Sequence, residues 1–171
     1  SVARKIPDAS ASTHAGKWEK TKYLGVEVSG KILGLIGAGN IGSVVASRAI
    51  GLKMRVVAFD PFLTSEKATA LGITKLDTLA EVLTCADFIS LHLPKNEKTA
   101  NIISEPQLMQ MKVGAKLLNC ARGGLVDEEA VAKAINSGHL GGAAFDVFNE
   151  EPAVKSPLFG LENVVCTPHL G

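Results

Sequence analysis

Toward the C-terminal end of this sequence stand two residues that can move a proton together, Glu151 and His169, and before them one that can grip an anion, Arg122. An imidazole titrates near neutrality, so a histidine can take the hydroxyl proton of an alcohol while a hydride leaves the carbon. A carboxylate bonded to that imidazole would fix its tautomer and support its charged form. Arg122 precedes Gly123-Gly124, and a guanidinium set over a glycine turn at a strand end can hold a carboxylate through two parallel hydrogen bonds. Each residue also has a plainer reading. Arg122 can pair with Asp127 or Glu128 at the surface, His169 can be an isolated loop histidine, and spacing alone does not bring it to Glu151.

A departing hydride needs an acceptor, and the stretch Gly37-Ala-Gly-Asn-Ile-Gly42 offers a seat for one. It follows the apolar run Ile32–Ile36 and opens a helical pattern from Ile41 to Leu52. A second apolar run, Val56–Phe59, then ends at Asp60. Strand, glycine-rich turn, helix, strand and acid in that order form a dinucleotide-binding fingerprint. Gly37 permits the tight turn, Gly39 lets backbone approach a pyrophosphate, and Gly42 lets the helix pack on the sheet. The free N–H groups and dipole at the helix start attract phosphate charge. Asp60 can accept hydrogen bonds from the adenosine ribose; its plainer reading is a cap on the next helix. A carboxylate there repels a 2′-phosphate, and the first positive charge after it is Lys67, so the cofactor expected is NAD rather than NADP.

The elements that must carry these groups alternate along the chain. Thr64 or Ser65 caps a short helix to Leu71, Ile73–Leu76 is a weak strand, and Asp77 caps a helix to Thr84. Asp87–Leu91 is a strand, Ser104 begins a helix ending near Met111, and Ala115–Asn119 is a strand. Asp127 caps a helix stopped by Gly138, and Gly142–Phe145 and Asn163–Cys166 are the last strands. Strands alternating with helices predict a Rossmann-type, doubly wound parallel sheet of about seven strands in three α/β/α layers. The active site is then expected outside the carboxyl ends of the strands. The polar residues Asp60, His92, Asn119–Arg122, Asp146, Asn149–Glu151 and Thr167–His169 fall at those ends in turn.

At 171 residues and 46% apolar composition the chain can bury one sizeable core, and a net charge of +1 gives no general pull toward nucleic acid or membrane. The apolar stretches are too short and interrupted to span a bilayer, and no secretory leader opens the sequence. Cys85, Cys120 and Cys166 are odd in number without CxxC spacing, which suits reduced thiols in a cytoplasmic protein. The four histidines are scattered, so no metal site is expected. Residues 1–28 fall outside the alternation and carry the large residues Trp18, Tyr23 and Leu24, which suits either a tail or an arm that packs on a partner; residues 29–171 form the cofactor domain. The sequence stops two residues past His169, which suggests a piece of a longer enzyme.

Four segments, Gly37–Gly42, Asn119-Cys-Ala-Arg-Gly-Gly-Leu-Val-Asp127, Phe145-Asp-Val-Phe-Asn-Glu-Glu-Pro152 and Pro168-His-Leu-Gly171, resemble in order and spacing the signatures of the D-2-hydroxyacid dehydrogenase family. The resemblance implies that Arg122, Glu151 and His169 are the catalytic residues. It implies cofactor contacts from Asn40 and Ile41 to the pyrophosphate, from Asp60 to the ribose, and from Cys120, Arg122, Asp146 and His169 around the nicotinamide, with Leu93 lining the cleft. The family builds a smaller substrate domain from segments outside this stretch, so the isolated piece is expected to be inactive. The family's members are expected to be homodimers or higher homo-oligomers. Glu151 argues against the formate dehydrogenase branch, which carries Gln there. NAD-sensing corepressors resemble the same motifs and bind partner peptides; turnover by the full-length protein separates the two classes.

Overall fold

The computed structural model describes residues 1–171. Its seven strands are β1 (Ile32–Ile36), β2 (Arg55–Phe59), β3 (Thr74–Lys75), β4 (Phe88–Leu91), β5 (Lys116–Asn119), β6 (Gly142–Phe145) and β7 (Val164–Cys166). They form one sheet in the order β3-β2-β1-β4-β5-β6-β7, and every neighbouring pair is parallel. The helices are α1 (Ile6–His14), α2 (Asn40–Gly51), α3 (Ser65–Leu71), α4 (Leu79–Cys85), α5 (Glu105–Gln110) and α6 (Glu128–Asn136).

The strands are nearly continuous in apolar residues because both faces of a parallel sheet are covered. One face gathers Leu33, Leu35, Val56 and Ala58 against Ala46 and Ala49 of α2 and Ala68 of α3. The other gathers Ile36, Ile89, Leu117 and Phe145 against Leu83 of α4, Leu108 of α5 and Val131 of α6. Two cores on opposite faces of one sheet make the doubly wound, three-layer architecture. The order reverses direction between β1 and β4, and it is there that a crevice opens at the carboxyl edge.

Local differences from the sequence reading have local causes. Thr78, not Asp77, caps α4: its hydroxyl accepts from the Glu81 N–H while Glu81 reaches back to the Thr78 N–H, a reciprocal capping box. Thr64 is the cap of α3. The weak strand expected over 73–76 shrinks to Thr74–Lys75, at the sheet edge with one partner only. Residues 1–28 hold more structure than their polarity suggested. A 3₁₀ turn at Val2–Arg4 buries Val2 and the helix α1 follows, begun by Pro7 in its first turn. Val26 N–H donates to Ala3 C=O at 2.8 Å, folding the segment back on itself. Trp18 nonetheless stands 88% exposed and Leu24 66% exposed.

Candidate active site

Gly37 turns out of β1 with φ +95°, and a Cβ there would lie 2.4 Å from the His92 carbonyl oxygen. That conformation and that approach both exclude any other residue. A Cβ on Gly42 would lie 2.4 Å from the Gly37 carbonyl oxygen, so the first turn of α2 is wedged against the loop. Gly39 is the opposite case, since a Cβ there would meet nothing within 4 Å. The loop is packed below and open above. Gly39 starts α2 with no side-chain cap, which leaves the first-turn N–H groups around Asn40 and Ile41 available to an anion. These features fit a pyrophosphate. Beside them lies a cleft of about 560 Å³ lined by Gly37, Gly39, Asp60, Phe62, Leu93 and Lys98 among others.

Asp60 does not cap a helix. Its Oδ2 accepts the buried Ala38 N–H and its Oδ1 accepts the Phe62 N–H, each at 2.8 Å. The carboxylate thus braces the glycine loop and keeps a second lone-pair site on each oxygen for a ribose. Lys98 was missed by sequence reasoning, because it reaches the cleft from the connection after β4 and not from the stretch after Asp60. His92, at the end of β4, shares a 2.9 Å hydrogen bond between Nε2 and Ser90 Oγ, and burial pushes its pKa down.

The other groups stand at the ends of β5, β6 and β7, which are adjacent and in register, Asn119 beside Phe145 and Phe145 beside Cys166. His169 Nδ1 and Glu151 Oε2 are 2.6 Å apart. Sequence spacing left that contact open; the folded chain makes it. Glu151 Oε1 also accepts the Phe148 N–H, and the imidazole bond and this backbone bond hold the Glu151 carboxyl below its usual range. His169 has a left-handed backbone, φ +54°, unusual for a non-glycine residue. Asp146 enforces it. The buried Asp146 carboxylate accepts the Thr167 hydroxyl and the N–H groups of Leu170 and Gly171, while its backbone C=O accepts the His169 N–H. Burial alone would raise the Asp146 pKa, but the Thr167, Leu170 and Gly171 donors and the nearby His169 charge hold it below the ordinary value.

Arg122 is exposed and makes no ion pair with Asp127 or Glu128. Both carboxylates are engaged elsewhere: Asp127 accepts the Ala130 N–H as the cap of α6, and Glu128 bonds to the segment 149–156. The Arg122 turn is held by Asn119, only 1% exposed, whose amide accepts the Ala121 N–H and donates to the Arg122 C=O. Cys120 is exposed in the same turn, and its pKa is pushed up by partial burial and by the Asp146 carboxylate, which keeps the thiol neutral. Sequence reading placed Asn119 among the polar strand ends and Glu128 only as a possible partner of Arg122; it did not foresee that Asn119 ties the Arg122 turn or that Glu128 bonds to Asn149 and Ser156.

The family model for the D-isomer specific 2-hydroxyacid dehydrogenase NAD-binding domain matches residues 1–171. A D-3-phosphoglycerate dehydrogenase of Synechocystis sp. is 47% identical over 170 residues, covering 99% of this chain and 30% of that protein. A crystal structure of a glyoxylate reductase from Paecilomyes thermophila superposes with a TM-score of 0.92 at 33% identity, covering 99% of this chain and 51% of that one. D-lactate dehydrogenase with NAD⁺ from Lactobacillus jensenii superposes at 0.84 with 32% identity, covering 98% and 54%. The chain therefore spans about a third of the curated relative's length and half of these solved chains. With the glycine loop, the braced acid and a match along its whole length, the chain belongs to the D-isomer specific 2-hydroxyacid dehydrogenases as their NAD-binding domain.

Proposed function

We propose that this chain is the cofactor half of an NAD-dependent dehydrogenase that oxidises C2 of a D-2-hydroxy acid, with D-3-phosphoglycerate as the substrate. The single observation that carries the chemistry is the 2.6 Å contact between His169 Nδ1 and Glu151 Oε2. That bond leaves Nε2 free to take the hydroxyl proton, and the carboxylate supports the imidazolium that results. Bound NAD supplies the hydride acceptor. Arg122, exposed and free of any carboxylate of its own chain, grips the carboxylate of the substrate and turns C2 toward the cleft. Asp60 receives the ribose hydroxyls, and the Gly39–Ile41 backbone receives the pyrophosphate. Cys120, His169 and Leu93 would line the nicotinamide end of the cleft, with Asp146 behind them holding the 167–171 turn. Phosphoglycerate is favoured over glyoxylate or lactate by the Asn119-Cys-Ala-Arg122 form and Gly16-Lys-Trp-Glu19, and by the relative that is 47% identical.

Residues 1–28 serve as the arm between domains and between subunits of a homodimer, in a cytoplasmic enzyme whose substrate domain comes from chain outside this segment. The exposure of Trp18 and Leu24 on an otherwise anchored segment supports the arm. No helix is long and apolar enough to cross a membrane. NADH absorbance followed in the full-length enzyme with phosphoglycerate, glycerate and D-lactate tests the reading. A kcat/KM for phosphoglycerate no higher than for the other two acids would refute the substrate assignment.

A further inference from the structure

Glu128 is a carboxylate only 6% exposed, in the first turn of α6, with no cation paired to it. Burying such a charge is costly unless strong donors meet it. Two do, each at 2.7 Å: the Asn149 N–H at Oε1 and the Ser156 hydroxyl at Oε2. The start of a helix further favours negative charge. Both donors belong to one segment, and that segment carries Glu151. Ser156 Oγ in turn accepts the N–H of the buried Leu158, so the far end of the segment is tied into the core. Between the pins the chain arcs outward through Glu150, Glu151 and Pro152.

The same connection that ends in Glu128 begins at Asn119 and presents Arg122. Its Gly123 lies so close to Phe148 that a Cβ would fall 1.7 Å from the Phe148 carbonyl oxygen. The β5–α6 connection and the 148–156 segment are therefore locked twice, by contact at Gly123 and by the two Glu128 bonds. Arg122 sits near one lock and Glu151 hangs between the Glu128 pins. We propose that Glu128 is a positioning residue for the reaction: it sets where Glu151 stands, and through Glu151 it orients the His169 ring relative to Arg122. This rests on the catalytic roles proposed above. No charge on Glu128 is needed for the role, only two acceptor or donor atoms in the right places.

Glu128→Gln keeps that pattern, with its carbonyl accepting the Asn149 N–H and its amide donating to Ser156 Oγ. Glu128→Ala removes both bonds. In the full-length enzyme Glu128→Ala is expected to lower kcat by about 100-fold, the scale of a small misplacement of catalytic groups. Its pH–rate profile should move as that of Glu151→Gln does, with KM changing little; Glu128→Gln should keep the wild-type kcat and profile. Histidine-ring NMR gives a readout independent of turnover. The His169 signals of Glu128→Ala should leave the wild-type positions toward those of Glu151→Gln, while Glu128→Gln superimposes on wild type. Wild-type enzyme that turns over no 2-hydroxy acid would overturn the proposed function, and the ring signals would still decide the role of Glu128. Ring signals and profile unchanged in Glu128→Ala would overturn the positioning role. So would Glu128→Gln behaving as Glu128→Ala, which would mean the charge and not the bonding pattern matters. If Glu128→Ala does not fold, Ser156→Ala removes one pin and carries the same test.

Discussion

Replacing Asp60 separates two jobs that a simple cofactor-selectivity residue would not combine. Its Oδ2 is the acceptor for the Ala38 N–H, and Ala38 is 1% exposed, so Asp60→Ala leaves a buried donor without a partner. That penalty is about 1–3 kcal/mol, and loss of the ribose hydrogen bonds adds to it. The free loop escapes that penalty by opening Ala38 to water, so NAD must restore the unbonded geometry on binding; at 1.4 kcal/mol per factor of ten, NAD should bind Asp60→Ala roughly fivefold to about a hundredfold more weakly than wild type. NADP should gain little, because the same slack loop must hold its pyrophosphate. Asp60→Asn behaves differently. Its single carbonyl oxygen can still brace Ala38, while the charge that repels a 2′-phosphate is gone. Two unit charges 4 Å apart repel by about 1 kcal/mol in water and about 4 kcal/mol near a protein surface, so the NADP-to-NAD ratio should rise about five- to several hundredfold. Lys98 lines the same cleft, and Lys98→Ala should weaken NADP in the Asp60→Asn background. Calorimetric titration of both cofactors against wild type and the variants checks each number. Asp60→Ala binding NAD within twofold of wild type would refute the bracing argument, and wild type binding NADP as tightly as NAD would refute the charge argument.

Other outcomes are expected. His169→Ala in the full-length enzyme should lower kcat by about 10²–10⁴-fold with little change in NAD affinity, measured by steady-state kinetics and titration. Arg122→Ala should chiefly raise KM for the acid substrate in the same kinetics. Glu151→Gln should move the pH–rate profile to lower pH, because a neutral amide no longer favours the protonated imidazole; an unchanged profile would count against the pair. The Asp146 carboxyl is held below its ordinary value in the fold, so its anchoring of 167–171 is complete above about pH 4 and is lost as pH falls through the depressed value. Asp146→Asn should remove that acid dependence and loosen His169, read by NMR of the ring between pH 2 and 6. The 171-residue chain alone should bind NAD in calorimetry yet produce no NADH from millimolar phosphoglycerate.

The parallel sheet was legible because buried strands write themselves as apolar runs, and the cofactor loop because Gly37 and Gly42 each stand where a Cβ would strike a carbonyl oxygen. Arg122, Glu151 and His169 were legible as candidates by residue type and resemblance. The meeting of Glu151 with His169 was not, since His169 reaches Glu151 only after Asp146 has bent 167–171 into a left-handed turn. Glu128 looks like an ordinary helix-opening acid, and its importance lies in partners distant in sequence, Asn149 and Ser156. Asn119 looks like a strand-ending amide, and its bonds to Ala121 and Arg122 are local, fixed by a turn that residue type alone does not declare. The helix α1 was missed because Ser10-Ala-Ser-Thr13 has no apolar stripe; it is begun by Pro7 rather than declared by periodicity.

The two cores on opposite faces of the sheet give the domain an evolutionary and engineering consequence. Leu33, Ala38, Ala46 and Ala58, beneath the glycine loop and the strand leading to Asp60, pack in one core, whereas Leu125, Val131, Phe145 and Phe148, beneath Arg122 and the Glu151 segment, pack in the other. Substitutions at the end of β2, where the proposed ribose acid stands, disturb a different set of side chains from substitutions at the ends of β5 to β7, where the proposed proton-transfer pair stands. Effects at well-separated sites without shared partners add. A lineage, or a designer, can therefore alter the end of β2 and the ends of β5 to β7 in independent steps, each paying only its own folding penalty.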